Sequence, residues 1–171
     1  MIQAGVIQEI IDTFFENPLL SIGYYGPIVL IVMNIYILYD RFFWCIVYIL
    51  FVVINTFLNK ALKRWIKEPR PKDWKSFATF ERLEQEEKYG MPSGHAQSAM
   101  FSTTFYYLLF GIDETLYIMM FITTLTVFQR WYNKNHTILQ LLVGLCIGGF
   151  FARIVFSIIN NYKKKISLWS I

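Results

Sequence analysis

The sequence predicts an all-α fold: an integral membrane helical bundle of about five transmembrane helices, with an amphipathic helix at its N-terminus. The first observation is composition, because 56% of the 171 residues are apolar and 19% are aromatic. Such a chain is too apolar for an ordinary soluble domain. The second observation is that long uncharged runs alternate with charged connections, and each run approaches the ~20 residues that cross a bilayer. The length suits one compact domain over residues 1–171.

The first segment, residues 1–17, is predicted to form the amphipathic helix. Apolar side chains recur at helical spacing on one face, and polar side chains mark the other. The apolar set includes Ile2, Val6, Ile10 and Phe14, and the polar set is Gln8, Glu9, Asp12 and Glu16. This segment is too short and too charged to span, so we expect it on the membrane surface or against the bundle. It lacks a basic start, so no cleaved signal peptide is expected.

Two predicted spans follow as a hairpin. Residues 18–39 carry no charge, Asp40 and Arg41 form a very short connection, and residues 42–59 are again uncharged. So tight a connection predicts two antiparallel membrane helices, 18–39 and 42–66. The second helix is expected to stop before Pro69, because a residue that precedes proline is disfavoured in the α region.

The rest of the chain contains one long polar stretch, residues 68–92, and three further spans. Trp74, Phe77 and Phe80 recur among the charges of this stretch at helix-like spacing. A short interfacial helix and a solvated loop with anchoring aromatics fit it equally well. Arg153 lies within the last span and is expected to reach the far interface. The three spans are residues 93–112, 115–131 and 137–162.

Small residues four apart predict close contacts between helices. These pairs are Gly144 with Gly148 and Ser98 with Ser102. Cys45 and Cys146 fall in separate apolar segments and are expected to be unpaired thiols. Cysteine and histidine show no metal-ligand spacing, so we expect neither a metal nor another cofactor. The net charge of +4 suits an anionic lipid surface or substrate. Basic residues cluster at helix ends, which argues against a nucleic-acid partner, and nothing indicates the oligomeric state.

The alternating direction of five spans brings three places to one membrane face. These are the end of the second helix, the start of the third, and the turn between the fourth and fifth. A histidine at a helix end is usually a cap, and an interfacial lysine or arginine is usually an anchor. Here, however, a whole set of phosphate-binding residue types falls at those three places: Lys63, Arg70, Ser93, Gly94, His95, Arg130 and His136.

Each of these residue types has a use in phosphoryl transfer. Arginine binds two phosphate oxygens with a planar fork, and lysine supplies a point charge. A helix that starts near Gly94 directs its first amides and its dipole towards an anion. His136 and Gln140 are four apart, so the Gln140 amide oxygen can accept the proton of one imidazole nitrogen and direct the other at phosphorus. We therefore expect His136 to be the nucleophile and His95 the general acid and base.

At these residues the sequence resembles the type 2 phosphatidic acid phosphatase superfamily. The first motif corresponds to Lys63 through Arg70-Pro71, and the second to Pro92-Ser93-Gly94-His95. The third corresponds to Arg130, His136 and Gln140, and the resemblance covers about residues 20–160. It implies that catalysis falls to His136, His95 and Gln140. It also implies phosphate binding by Lys63, Arg70, Ser93, Gly94 and Arg130, without a metal.

Two positions depart from the family pattern: Gln129 replaces a serine, and Gln140 replaces an aspartate. The dolichyl diphosphatase branch, which carries glutamine at the second position, is the more similar one. Its likeness extends to Lys67-Glu68-Pro69-Arg70-Pro71 and Tyr89-Gly90-Met91-Pro92. The resemblance implies hydrolysis of a polyprenyl diphosphate to the monophosphate, in recycling of the N-glycosylation carrier lipid.

Other interpretations remain open. The glucose-6-phosphatase branch shares the glutamine, so the substrate can be phosphatidate or another lipid or sugar phosphate monoester. A non-catalytic lipid-binding scaffold is the alternative from another functional class. A vanadate site is disfavoured by the membrane character and by the absence of the acidic partner.

Orientation is predicted from basic residues on the opposite face, at Arg41, Arg153 and residues 163–165. The positive-inside rule places that face in the cytosol. The active face is then lumenal, and the resemblance implies the endoplasmic reticulum.

Overall fold

The computed structural model describes residues 17–74 and 89–168, with side chains as far as Tyr162. Within these ranges the chain forms five α-helices and no strands, apart from an isolated antiparallel bridge between Pro69 and Tyr89. The predicted all-α fold is therefore confirmed. The helices are α1 Pro18–Ile37, α2 Phe42–Ile66, α3 Gly94–Phe110, α4 Glu114–Tyr132 and α5 Ile138–Leu168. The predicted N-terminal amphipathic helix and residues 75–88 of the polar stretch lie outside the described residues.

The helix ends follow local sequence signals. Asp113 caps α4, because its carboxylate accepts a hydrogen bond from the Leu116 amide at 2.8 Å. Ser93 caps α3 in the same way, with its hydroxyl 3.5 Å from the Ala96 amide. The last helix was expected to end at residue 162 and instead continues to Leu168. The three lysines at 163–165 are good helix formers, so charge there does not stop the helix.

Three of the described helices are long and apolar enough to cross a membrane by themselves: α1, α2 and α5 over Ile138–Tyr162. Helix α3 has 17 residues and α4 has 19. Helix α3 packs against all four of the other described helices, and its polar side chains Gln97, Ser102 and Thr103 are buried in these contacts. Large apolar side chains cover the outside of the bundle, including Tyr36, Phe57, Trp65 and Phe150. The chain is therefore an integral membrane helical bundle.

Glycines allow the closest helix contacts. The pair Gly144 and Gly148 places α5 directly on the backbone of α3. A Cβ on Gly144 would lie 2.6 Å from the Ser93 carbonyl oxygen, and one on Gly148 would overlap the Gln97 carbonyl oxygen. The expected close approach of small residues is thus observed for this pair. Ser102, from the other pair, instead hydrogen-bonds the Tyr48 hydroxyl at 2.7 Å.

A chain of buried amides joins α2 to α3. The Gln97 side chain donates to Asn55 Oδ1 at 2.8 Å and accepts from Asn59 Nδ2 at 2.8 Å. Asn59 also donates to the Pro92 carbonyl at 3.2 Å. Because lipid offers no alternative partners, satisfied polar groups of this kind hold membrane helices in one register. They fix the turn that leads into α3.

The α3–α5 contact can be tested with a matched pair of glycines. Replacing Gly148 with alanine forces a methyl group into the Gln97 carbonyl, and such overpacking costs about 1–3 kcal/mol. We expect Gly148→Ala to lower the thermal unfolding midpoint in detergent. Gly149→Ala is the control, because its Cβ would meet its nearest neighbour at an ordinary 3.4 Å. Equal midpoints for the two variants would contradict the described packing.

Candidate active site

One end of the bundle holds a cavity of about 370 Å³. Its lining comes from α1, from the last three turns of α2 and from the segment that follows. The start of α3, the end of α4 and the turn after α4 complete it. Six of the eight residues predicted for the site line it: Lys63, Arg70, Gly94, His95, Arg130 and His136. Among the described residues that line the cavity, none is aspartate or glutamate. The arrangement favours an anion.

The other two predicted residues, Ser93 and Gln140, lie behind the cavity wall. Both are fully buried. The Ser93 amide donates to the backbone carbonyl of Gln140 at 3.1 Å, so this amide is already engaged. Gly94 does line the cavity, at the first residue of α3, where helix amides lack partners within the helix. The role of Ser93 in phosphate binding stays a prediction.

The basic side chains are held inside the protein rather than displayed on its surface. Arg130 is 1% exposed and Lys63 is 6% exposed. The Arg130 guanidinium carbon lies 5.6 Å from the centre of the Tyr24 ring, within the range of a cation–π contact. The same ring lies 5.6 Å from the His95 ring, centre to centre. Tyr24 therefore packs against both the arginine and the histidine and limits the positions of both.

The turn between α4 and α5 presents His136, which is 3% exposed. Its amide donates to the Arg130 carbonyl at 3.3 Å, so the histidine is tied to the end of α4. Burial lowers the pKa of His136 well below its usual value, and the charges of Arg130, Arg70 and Lys63 lower it further. The imidazole is consequently held in its neutral form, which is the nucleophilic one.

Gln140 orients His136. Its side-chain oxygen lies 3.3 Å from His136 Nδ1 and accepts the Thr137 amide at 3.2 Å. The Thr137 hydroxyl in turn accepts a hydrogen bond from the backbone amide of Gln140 at 3.2 Å. Together these two bonds form a capping box at the start of α5. The side-chain nitrogen donates to Glu68 Oε1 and to the Pro69 carbonyl, both at 2.9 Å.

Two chain segments meet around this glutamine. The Gly90 amide donates to the Glu68 carbonyl at 2.8 Å, beside the bridge between Pro69 and Tyr89. A Cβ on Gly90 would lie 2.6 Å from the Gln140 side-chain oxygen. Only glycine allows the backbone to approach the amide so closely. The segments on either side of residues 75–88 are therefore joined at the site.

The sequence interpretation missed several contributors. Asn59 lines the cavity, and its spacing of four from both Asn55 and Lys63 on one helical face was a readable signal. Thr137 was also detectable, because Thr-x-x-Gln before an apolar run is the pattern of a capping box. Glu68 had no such signal, because its contact with Gln140 joins residues 72 apart in sequence.

Gln129 and the two cysteines lie outside the predicted site. Gln129 is fully buried, and neither polar atom of its side chain has a hydrogen-bond partner in the described part of the chain. It does not line the cavity. Cys45 is half-buried and Cys146 is exposed, and both are free thiols. In the part of the chain that the structure describes, no group of histidine, cysteine, aspartate and glutamate could hold a metal ion.

Comparisons with known proteins agree on a family. Residues 43–164 match the PAP2 superfamily. The chain is similar to the protein named "Lipid phosphate phosphatase gamma" from Arabidopsis thaliana, with 26% identity over 121 residues. The alignment covers 64% of this chain and 51% of that protein, so the chain spans about half the length of that curated relative. No solved structure matches.

The lowered pKa of His136 has a consequence for stability. The unfolded chain takes up a proton below the ordinary histidine pKa of about 6.5, whereas folded His136 stays neutral. The contribution of neutral His136 to the free energy of unfolding is fully present above about pH 6.5. It is lost as the pH falls below this value, by at most ~1.4 kcal/mol per pH unit. We expect the thermal unfolding midpoint of wild type to fall more steeply than that of His136→Asn between about pH 7 and pH 5. Parallel curves would contradict the assignment.

Proposed function

The chain belongs to the PAP2 superfamily, and from that membership we propose that it is a membrane lipid phosphatase working through a phosphohistidine. One observation carries the proposal. Two imidazoles and four basic side chains, from segments far apart in sequence, line a single cavity. We place the catalytic domain over residues 1–171, of which residues 43–164 match the family.

The proposed first step is attack of His136 on phosphorus. Because Nδ1 faces the Gln140 oxygen, Nε2 is the nitrogen directed at the substrate. A P–N bond forms while the bond from phosphorus to the leaving oxygen breaks, and His95 donates its proton to that oxygen. In the second step His95 takes a proton from water, which attacks phosphorus and breaks the P–N bond. Inorganic phosphate leaves, and both imidazoles return to their starting states.

The basic residues serve the transition state. Negative charge on the equatorial phosphate oxygens is stabilised by groups that are already in position and need no rearrangement. Lys63 and Arg130 are buried and held by the bundle, and Arg70 stacks over the Trp74 ring at 5.4 Å. The first amides of α3, beginning at Gly94, add a helix N-terminus. Ser93 stays a proposed phosphate-binding residue, and as the N-cap of α3 it sets where these amides begin.

The walls of the cavity support a lipid substrate. Beyond the basic end it is lined by Pro27 and Ile28 of α1 and by Thr56 of α2. Ile28 is 61% exposed on the outside of the bundle, so the cavity extends to the surface that faces lipid. A phosphate headgroup can enter the site while its hydrocarbon chain remains in the bilayer.

Within this class we propose a polyprenyl (dolichyl-type) diphosphate as substrate, cleaved to the monophosphate and inorganic phosphate. Support comes from the likeness of residues 67–71 and 89–92 to the dolichyl diphosphatase branch. These segments meet at Gln140 in the structure. The name of the Arabidopsis relative favours the second candidate, a lipid phosphate monoester such as phosphatidate. With a diphosphate the leaving group is itself a phosphate, which lessens the need for a proton from His95.

A location follows from the same proposal. Arg41 and Arg153 lie away from the cavity, in the α1–α2 connection and in α5. Basic residues on the membrane face opposite the cavity favour a cytosolic position for that face. We therefore propose that the cavity opens to the lumen of the endoplasmic reticulum, where the carrier diphosphate left by glycan transfer is produced.

The first test is phosphate release by detergent-purified protein in the presence of EDTA. Polyprenyl diphosphate, phosphatidate and glucose-6-phosphate are compared for wild type and His136→Ala. We expect release with wild type, greatest for the diphosphate, and none above background with the variant. Preference for phosphatidate would keep the mechanism and replace the substrate. No release from any substrate would leave the non-catalytic scaffold as the interpretation.

A second expectation concerns Gln140. Gln140→Ala removes the acceptor that orients the imidazole but leaves the nucleophile in place. We expect its kcat to fall by roughly ten- to hundredfold, as when outer partners of ligand histidines are removed, and so less than in His136→Ala. The measurement is single-substrate kinetics with the preferred lipid. A loss as complete as that of His136→Ala would show that Gln140 does more than orient.

A further inference from the structure

We propose that Glu68 is a positioning residue for His136. It acts through the Gln140 side chain, because its carboxylate accepts a hydrogen bond from this neutral amide and places a negative charge beside it. This inference rests on the proposed function, since it concerns the charge on the nucleophile during phosphoryl transfer. Glu68 does not line the cavity, so it acts on the reaction through Gln140 and not by contact with phosphate.

The hydrogen bonds around Gln140 allow only one orientation of its amide. The nitrogen faces two acceptors, Glu68 Oε1 and the Pro69 carbonyl, both at 2.9 Å. The oxygen faces the Thr137 amide, a donor, at 3.2 Å. A reversed amide would place oxygen against the carboxylate and nitrogen against an N–H group. The atom that faces His136 Nδ1 at 3.3 Å is therefore an oxygen, and Nδ1 must carry the proton.

The charge of Glu68 matters because the imidazole becomes positive during the reaction. When Nε2 of His136 bonds to phosphorus, Nδ1 keeps its proton and the ring acquires positive charge. A neutral amide stabilises that charge less well than a carboxylate. Hydrogen bonds in a chain polarise one another, so a carboxylate on the Gln140 nitrogen makes the Gln140 oxygen a stronger acceptor. The hydrogen-bonded series Glu68, Gln140 and His136 thus places a carboxylate two hydrogen bonds from the proposed nucleophile.

The backbone holds this carboxylate in place. The Glu68 carbonyl accepts the Gly90 amide at 2.8 Å, and the neighbouring Pro69 pairs with Tyr89. Gly90 lies directly against the Gln140 amide. The Gln140 side-chain amide is therefore packed against Gly90 as well as against residues 68–69. The segment that carries Glu68 is held beside this amide by its backbone contacts with residues 89–90.

The test separates charge from shape. Glu68→Gln keeps the size of the side chain and an acceptor oxygen but removes the charge. We expect kcat with the preferred lipid phosphate to fall roughly ten- to hundredfold, while KM changes little because phosphate contacts remain. Asp73→Asn is the matched control, because Asp73 belongs to the same segment, is 83% exposed and pairs only loosely with Lys134 at 3.9 Å. It should retain wild-type kcat.

A reciprocal exchange provides the decisive comparison. Gln140→Glu alone sets its carboxylate against Glu68 and the Pro69 carbonyl, so we expect it to be poorly active. In Glu68→Gln with Gln140→Glu, the amide and the carboxylate trade places, and the new carboxylate accepts the His136 Nδ1 proton directly. We expect kcat of this double variant to exceed that of Gln140→Glu, because the repulsion between the two carboxylates is removed while only that from the Pro69 carbonyl remains. Thermal unfolding of all variants monitors folding, and a role in loop structure alone would not move kcat in this pattern.

The outcomes for the two proposals differ. Wild-type kcat in Glu68→Gln, or a double variant no better than Gln140→Glu, would overturn the role of Glu68 while the phosphatase function stands. Absence of phosphate release by wild type from every lipid tested would overturn the function, and the positioning role with it.

Discussion

The structure of the site depends on one side-chain amide, that of Gln140. Its two polar atoms contact four groups, and these groups belong to two segments that are far apart in the chain, residues 68–69 and 136–137. Its backbone carbonyl also accepts the Ser93 amide at the turn into α3. Because an amide has a donor end and an acceptor end, the same contacts that join the segments also define the proton position on His136. The contacts that join these segments therefore also orient His136, the proposed nucleophile.

Helix α3 connects this arrangement to the bundle. It carries His95 near its start and packs against every other described helix. The close contact of Gly144 and Gly148 with its backbone sets the distance between α3 and α5, and hence between His95 and the turn that precedes α5. Larger residues at those glycines would separate the two histidines. The packing of small residues deep in the bundle thus controls a distance in the cavity.

Charge is distributed in a way that suits a phosphate site at a membrane boundary. The positive groups line the cavity, whereas the Glu68 carboxylate does not line it and accepts a hydrogen bond from Gln140. A carboxylate in the cavity itself would compete with phosphate for Arg130 and Lys63. In the role proposed for Glu68, its negative charge lies one amide away from the imidazole and outside the cavity. With glutamine at position 140, the negative charge that stabilises the imidazole lies on a separate residue, Glu68. An aspartate at position 140 would carry that charge itself, closer to the phosphate.

The sequence by itself determined the five helices, their approximate ends and the gathering of basic and histidine residues at one face. These follow from local properties: the length of apolar runs, the positions of charges, and the alternating direction of successive spans. Only the tertiary structure decided that the Ser93 amide serves Gln140, that α5 lies on the α3 backbone, and that Glu68 reaches an amide 72 residues away. Those contacts depend on which helices pack together and at what distance, and no periodicity within one segment encodes that choice.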